Sequence, residues 1–293
     1  MVPRCARALS FRRRPPRAAR SGADVKSAAH SARVAALVVA IACSAHAARA
    51  QLQTTESPAR DDTQMARAPR PYGLGEQLIY DLAVGGAKVG TGSLSIVGGE
   101  VIDGHETYHS VFDIKGGFLF YKVNDRLESW FEPGTMTSHR FYQLLNEGSY
   151  HAQRYFDLYP ERAALHQRGR SETPSVAEPL DDVSFFYFVR TVPLIVGETY
   201  TYARYFQPDK NPVIVKVLRR ERLKLDAGTF DTIVLQPIIK SGGLFAEGGE
   251  ALIWVTDDDR RIMVQLKAKM PVLRSLDLYL KSYTPPTIPP PPG

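Results

Sequence analysis

Asp257-Asp258-Asp259, followed by Arg260 and Arg261, is the densest cluster of charged groups in the chain outside its N-terminal arginine runs. Adjacent carboxylates can divide general-acid and general-base work, or hold a cation together. Such chemistry would make the protein a hydrolase of an envelope polymer, acting through Asp257, Asp258 or Asp259 with Arg260. The same residues also suit a hairpin turn, in which an Asp caps its own backbone and Arg flanks it. The apolar runs on either side, at Trp254 and at Ile262, favour the turn. His105 and His109 would share one face of a strand, as two metal ligands can. His139, His151 and His166 are scattered, so the spacing predicts separate surface histidines, no metal site and no cofactor. The chain has no G-x-S-x-G elbow, no H-E-x-x-H helix and no phosphate-binding loop.

Aromatic residues are the stronger lead. The chain has 13 Phe, 14 Tyr and 2 Trp. Phe118, Phe120, Trp130, Phe185, Phe188 and Trp254 are the candidate lining of an apolar cavity inside a curved sheet, one that would take a lipid or acyl chain. An ordinary aromatic core is the competing expectation, because alternation alone does not separate a filled barrel from a hollow one.

The elements that would position these residues are short strands. Leu78, Tyr80, Leu82 and Val84 alternate with Ile79, Asp81 and Ala83, and Gly85-Gly86 follows as a turn. Tyr108, Ser110, Phe112 and Ile114 alternate next, and Gly116-Gly117 is expected to break that strand. Similar runs recur to Tyr283. Period-2 alternation with Gly, Pro, Asp and Asn between runs is the antiparallel signal. The predicted fold is mainly β, an antiparallel meander forming a curved or half-closed barrel with one short helix packed on it. The helix falls on Pro179–Arg190, with Asp181 or Asp182 at its positive end and Pro193 and Gly197 beyond it. It is expected to run two to three turns and, being apolar nearly all round, to be deeply packed. Ile114-Lys115-Gly116-Gly117-Phe118 before Trp130 is echoed by Ile239-Lys240-Ser241-Gly242-Gly243-Leu244-Phe245 before Trp254.

The ends differ from the middle. Val34–Cys43 is an uninterrupted apolar run preceded by arginines and followed by A-x-A patterns at Ala45–Ala47 and Ala48–Ala50. That is the pattern of a secretory signal, and it is too short for a membrane-spanning helix. Ala40-Ile41-Ala42-Cys43 also fits a lipobox, which would anchor the chain through Cys43. Residues 1–50 carry ten Arg/Lys and one Asp. The whole chain is +6, so the remainder is net −3 and lacks the basic charge that a nucleic-acid partner requires. Both cysteines, Cys5 and Cys43, lie in the same stretch, which leaves the rest without thiol chemistry. The expected organisation is a signal peptide over 1–50, a disordered linker over 51–71, a β domain over 72–284 and a proline-rich tail over 285–293. The β domain could comprise two similar halves, about 72–175 and 192–284, joined by the helix.

Four segments carry a resemblance. Tyr72–Tyr80, Asp182–Arg190 with Val196–Tyr200, Ala227–Thr232, and Ile253–Arg261 together resemble domain-of-unknown-function family 3108 of the bacterial envelope, over about Tyr72 to Tyr283. The resemblance implies an exported, mainly β protein and brings no catalytic residues with it. The layout is also similar to the half-closed barrels of periplasmic lipoprotein carriers. The functional expectation is a periplasmic, non-catalytic envelope protein that binds an apolar or amphipathic ligand such as lipid. The alternatives are the envelope-polymer hydrolase and a scaffold or interaction protein.

Overall fold

The computed structural model describes residues 70–118, 120–240, 251–269 and 275–287, without the Phe118 side chain. The signal peptide, Cys43, nearly all of the linker, residues 288–293 of the tail and the 241–245 part of the glycine echo lie outside the described residues.

Among the described residues, fourteen strands form one antiparallel sheet. In chain order these are β1 (Gln77–Val84), β2 (Ala87–Ile102), β3 (His105–Phe118), β4 (Tyr121–Phe131), β5 (Ser138–Glu147), β6 (Tyr150–Tyr159), β7 (Ala164–Gln167) and β8 (Thr173–Pro174). After the helix α1 (Ser184–Phe188) follow β9 (Thr199–Tyr202), β10 (Val213–Leu225), β11 (Gly228–Ile238), β12 (Leu252–Thr256), β13 (Met263–Ala268) and β14 (Leu276–Thr284). The spatial order is β8 inward to β1, then β14 outward to β9. Two meanders therefore meet at a β1·β14 seam, which runs from Gln77↔Thr284 to Val84↔Leu276. The sheet is curved but not closed. Its edges are β8 and β9, and the chain between them lies across the gap, where Leu180 N–H donates to Arg204 O (2.6 Å) and Phe206 N–H to Leu180 O (3.0 Å).

Local chemistry accounts for the turns. Gly85 and Gly86 have φ of 58° and 86°, the pair of left-handed residues that a two-residue hairpin matched to strand twist requires. Gly116-Gly117 does not break β3. Gly116 lies directly opposite Gly90, and a Cβ on Gly90 would sit 2.1 Å from the Lys115 carbonyl oxygen. Those glycines let two strands approach inside the sheet, and the reversal falls later, at Phe120.

The core lies on the face of Leu82, Leu278, Leu266 and Ile253, which register across four strands. It is completed by α1, whose five residues are all buried. The helix is shorter than the sequence suggests. Asp181 Oδ1 accepts from the N–H groups of Val183 (2.8 Å) and Ser184 (2.9 Å), and the flanking turns close on i→i+3 bonds such as Thr191 N–H to Phe188 O (2.9 Å). A run of aromatic residues is a modest helix former, so packing rather than propensity holds this turn. Phe186 meets Phe112 at 5.2 Å, Tyr187 meets Tyr72 and Phe131 at 5.3 Å, and Phe188 meets Tyr202 at 4.8 Å between ring centroids. The Tyr187 hydroxyl is not stranded. It lies 3.0 Å from Ser110 Oγ, which also donates to the Ser95 carbonyl.

One end of the core is tied by a buried ion pair. Arg190 presents Nη1 and Nη2 to the two Glu76 oxygens at 2.8 and 2.9 Å, with the side chains 2% and 0% exposed.

A hydrogen-bond pattern recurs on the opposite face. Trp130 Nε1 donates to the Glu100 carboxylate (2.7 Å), while Thr107 Oγ1 donates to the Glu100 carbonyl (2.7 Å). In the second meander Trp254 Nε1 donates to the Glu221 carboxylate, and Thr232 Oγ1 to the Glu221 carbonyl (2.7 Å). Register shifts occur beside both tryptophans, between Trp130 and Phe131 and between Trp254 and Val255.

Candidate functional site

The acidic turn joins β12 to β13; Asp257 and Asp258 are engaged, while Asp259 is exposed at its tip. Asp258 Oδ1 accepts from Thr256 Oγ1 (2.6 Å) and from the backbone N–H groups of Arg260 and Arg261 (both 3.1 Å). Its Oδ2 pairs with Arg260 at 2.6 Å. Partial burial would raise this carboxyl, but the Thr256 and Arg260 hydrogen bonds and the Arg260 charge outweigh it and hold the group below the usual carboxylate range. Asp257 pairs with Arg220 at 2.6 Å. Arg261 reaches back to the Arg190 carbonyl (3.1 Å). These contacts belong to a capped turn rather than to two carboxylates facing a cleft.

The aromatic candidates do not converge. Phe185 and Phe188 fill the core as part of α1. Trp254 is buried, but it shares its face with Gln265 and Tyr279, on the side of the sheet away from α1. Trp130 is half-buried on that same side, stacked on His109 at 4.2 Å. Phe120 projects from the β3–β4 turn and is 99% exposed. The Phe118 side chain lies outside the described residues. Beside Phe120 the sheet end holds a small apolar pocket, about 10 Å³, lined by Leu82, Val84, Val89, Gly117, Tyr121, Val123 and Leu276. That volume is close to what one water molecule needs.

The histidines are not all separate, which corrects the expectation from their spacing. In a meander every second turn falls at the same end of the sheet, so the β2–β3, β4–β5 and β6–β7 connections are neighbours. His105 begins β3 after the Asp103-Gly104 turn, whose φ values are 49° and 90°. Glu132 directly follows β4, His139 is the second residue of β5, and Glu161 sits in a single 3-10 turn (Pro160–Arg162) after β6. The His105 and His139 rings stack at 4.3 Å. Glu132 Oε1 lies 2.7 Å from His105 Nδ1 and 2.9 Å from His139 Nε2, and Glu161 Oε1 lies 2.8 Å from His105 Nε2. Burial pushes the Glu132 carboxyl up, but hydrogen bonds from Thr135 and His139 and the neighbouring imidazoles outweigh it and hold the group below the usual carboxylate range. His109 turns elsewhere, to Glu128 at 2.7 Å. The signal that would have found this group was the parity of the turns; strand-face spacing paired His105 with His109 instead.

A single antiparallel sheet curled round one buried helix, with its described interior filled by aromatic side chains, places the protein among β-barrel-like folds with an open seam. The chain belongs to the family described as proteins of unknown function (DUF3108), matched over residues 79–281. Among solved structures it is similar to the β-barrel-like protein of domain of unknown function DUF1849 from Brucella abortus, at 9% identity over 74% of this chain and 100% of that one, with a TM-score of 0.48. It is also similar to a candidate lipoprotein from Parabacteroides distasonis, at 10% identity over 74% of this chain and 99% of that one, with a TM-score of 0.32. No curated protein matches. Among the described residues no helix is long and apolar enough to cross a membrane.

Proposed function

We propose that this is an exported, non-catalytic protein of the bacterial envelope, working in the periplasm, that holds a lipid acyl chain at the sheet end formed by the β1–β2 and β3–β4 turns. The carrying observation is Phe120, fully in solvent on the turn between Gly117 and Tyr121, beside an apolar sheet end formed by Leu82, Val84, Val89, Val123 and Leu276; the dimple there holds no more than a water, so the acyl chain would lie over this rim and under the Phe120 ring rather than inside the sheet. Burial of the Phe120 ring against an acyl chain gains the hydrophobic free energy that its exposure forgoes. The filled core moves this reading from the interior of the sheet to its rim, and Phe120 is the member of the aromatic set that serves it. Export is supported by the signal-like pattern of residues 34–50.

The test uses the full chain, stripped of lipid and mixed with palmitate. Native mass spectrometry should show one fatty-acid adduct that Val84→Asp and Phe120→Ser remove. A wild-type protein that takes up no palmitate, and carries no lipid when extracted from the envelope fraction, ends the reading. N-terminal sequencing of that material should begin near Gln51, or at a lipid-modified Cys43. Recovery in the cytosol with residues 34–50 retained would refute export.

A further inference from the structure

We propose that His105, His139 and Glu161 form a binding site for one divalent transition-metal ion of the zinc class, with Glu132 orienting the two imidazoles. The site is separate from the acyl-chain rim, and it does not depend on that reading.

The donor set is the first argument. Two imidazoles and a carboxylate are the ligands that zinc and its neighbours take, and three protein ligands leave a fourth position for water. One ring nitrogen from each histidine and one Glu161 oxygen all lie within 4.8 Å of one another. A tetrahedral ion with bonds of about 2.0–2.2 Å places its ligands about 3.4 Å apart, so side-chain adjustment of about an ångström closes the set.

The second argument is the way the imidazoles are held. Metal-bound histidines generally give their other ring nitrogen to a carboxylate, which fixes the ring and makes it a better ligand. Glu132 stands in that relation to His105, at 2.7 Å from Nδ1, and Thr135 Oγ1 steadies Glu132 in turn at 2.8 Å. That leaves His105 Nε2 directed at Glu161, 2.8 Å away. An ion placed between His105 Nε2 and the Glu161 oxygen would draw one ligand atom from each.

The third argument is access. The His139 side chain is 1% exposed and Glu132 is partly covered, whereas His105 and Glu161 are 37% and 60% exposed. A buried anchor and an open side let an ion enter from solvent without unfolding the sheet end. The four residues come from three separate turns, so a bound ion would also cross-link the β2–β3, β4–β5 and β6–β7 connections.

The test is zinc binding by the full chain, purified without a histidine tag and dialysed against chelator. Calorimetry should give one equivalent of zinc, and cobalt substitution should give the visible bands of a four-coordinate site. His105→Ala and Glu161→Gln, both on the exposed side, should weaken zinc by at least about tenfold with unchanged circular dichroism. His151→Ala, beside the β5–β6 turn at the opposite end of the sheet, should leave binding as it was. His139→Ala is buried and is read only beside a melting curve. Wild-type protein that binds no stoichiometric zinc overturns the proposal. So does zinc uptake that His105→Ala and Glu161→Gln leave unchanged, since that is an adventitious ion only.

Discussion

Replacing Arg190 by Met leaves Glu76 as a buried carboxylate whose remaining side-chain donor is the Tyr283 hydroxyl at 3.1 Å. Replacing Glu76 by Gln leaves a buried guanidinium without its counter-charge. The guanidinium does more than pair. It also donates to the Arg260 carbonyl, from Nη2 at 2.9 Å and Nε at 3.2 Å, and to the Pro71 carbonyl. It therefore ties the chain before β1, the segment after α1 and the β12–β13 turn to one point. Removing one partner of a fully buried pair costs about 3–5 kcal/mol, because the other charge keeps its desolvation penalty and loses its compensation. In a domain of this size each kcal/mol lowers Tm by roughly 2–4 °C, so either single variant should melt roughly 6–20 °C lower. The double variant, Glu76→Gln with Arg190→Met, leaves no unpaired charge and should lie well above the sum of the singles, with a coupling of about 2 kcal/mol or more. Urea unfolding at neutral pH, with calorimetric melts alongside, measures all three. Single variants within about 1 kcal/mol of wild type, or strictly additive singles, would falsify the reasoning.

Three further outcomes follow from other parts of the fold. Trp254→Ala should cost about 3–5 kcal/mol, as large aromatic truncations do, and Trp130→Ala distinctly less, because Trp130 is half-exposed; the reverse order in urea midpoints would contradict the packing described. Tyr187→Phe should cost about 0.5–1.5 kcal/mol, since Ser110 keeps its bond to the Ser95 carbonyl; a loss like that of a core deletion would mean the hydroxyl organises more than this contact. Burial, reinforced by the neighbouring Glu147 carboxylate, raises Asp125 to about 7 against the Asn146 N–H that opposes it. A raised folded-state value makes the folded chain the tighter proton binder. That stability is fully present below about pH 4 and is lost as pH rises to about 7. Asp125→Asn should flatten this part of the pH–stability curve, and an unchanged slope would count against the assignment.

The strands of β1 were legible because one face of each is buried: Leu78, Tyr80, Leu82 and Val84 can point inward only if their neighbours point out. Gly85-Gly86 was legible as a turn because both positions take positive φ, which glycine adopts without strain, even though a Cβ there would meet nothing. Gly116-Gly117 misled because a glycine that permits a turn and a glycine that permits close strand contact look alike in sequence. The helix position was readable from Asp181, but its length was not, since tertiary packing of Phe185–Phe188 decides where the turn stops. The tryptophans were expected on the core side. Their indole N–H groups instead find Glu100 and Glu221 on the outer face, partners two strands away that no local pattern indicates. His105 and His139 were separated in sequence by two strands and joined by topology.

The β1·β14 seam gives the chain an unusual folding order. Every other strand pair joins sequence neighbours, so each meander can assemble from local hairpins, the kind of contact that forms fast. The seam alone joins residues about 200 positions apart, such as Leu78 and Tyr283. During synthesis or export, β1 therefore presents a bare edge until the last strand arrives, and the two meanders remain separate ribbons held only through the helix region between them. A circular permutant that links Thr284 to Gln77, which already lie side by side, and opens the chain between β8 and β9 would turn the slowest contact into a hairpin. In such a permutant the former edges carry the termini, and the strand that now completes the sheet last becomes one that can form first.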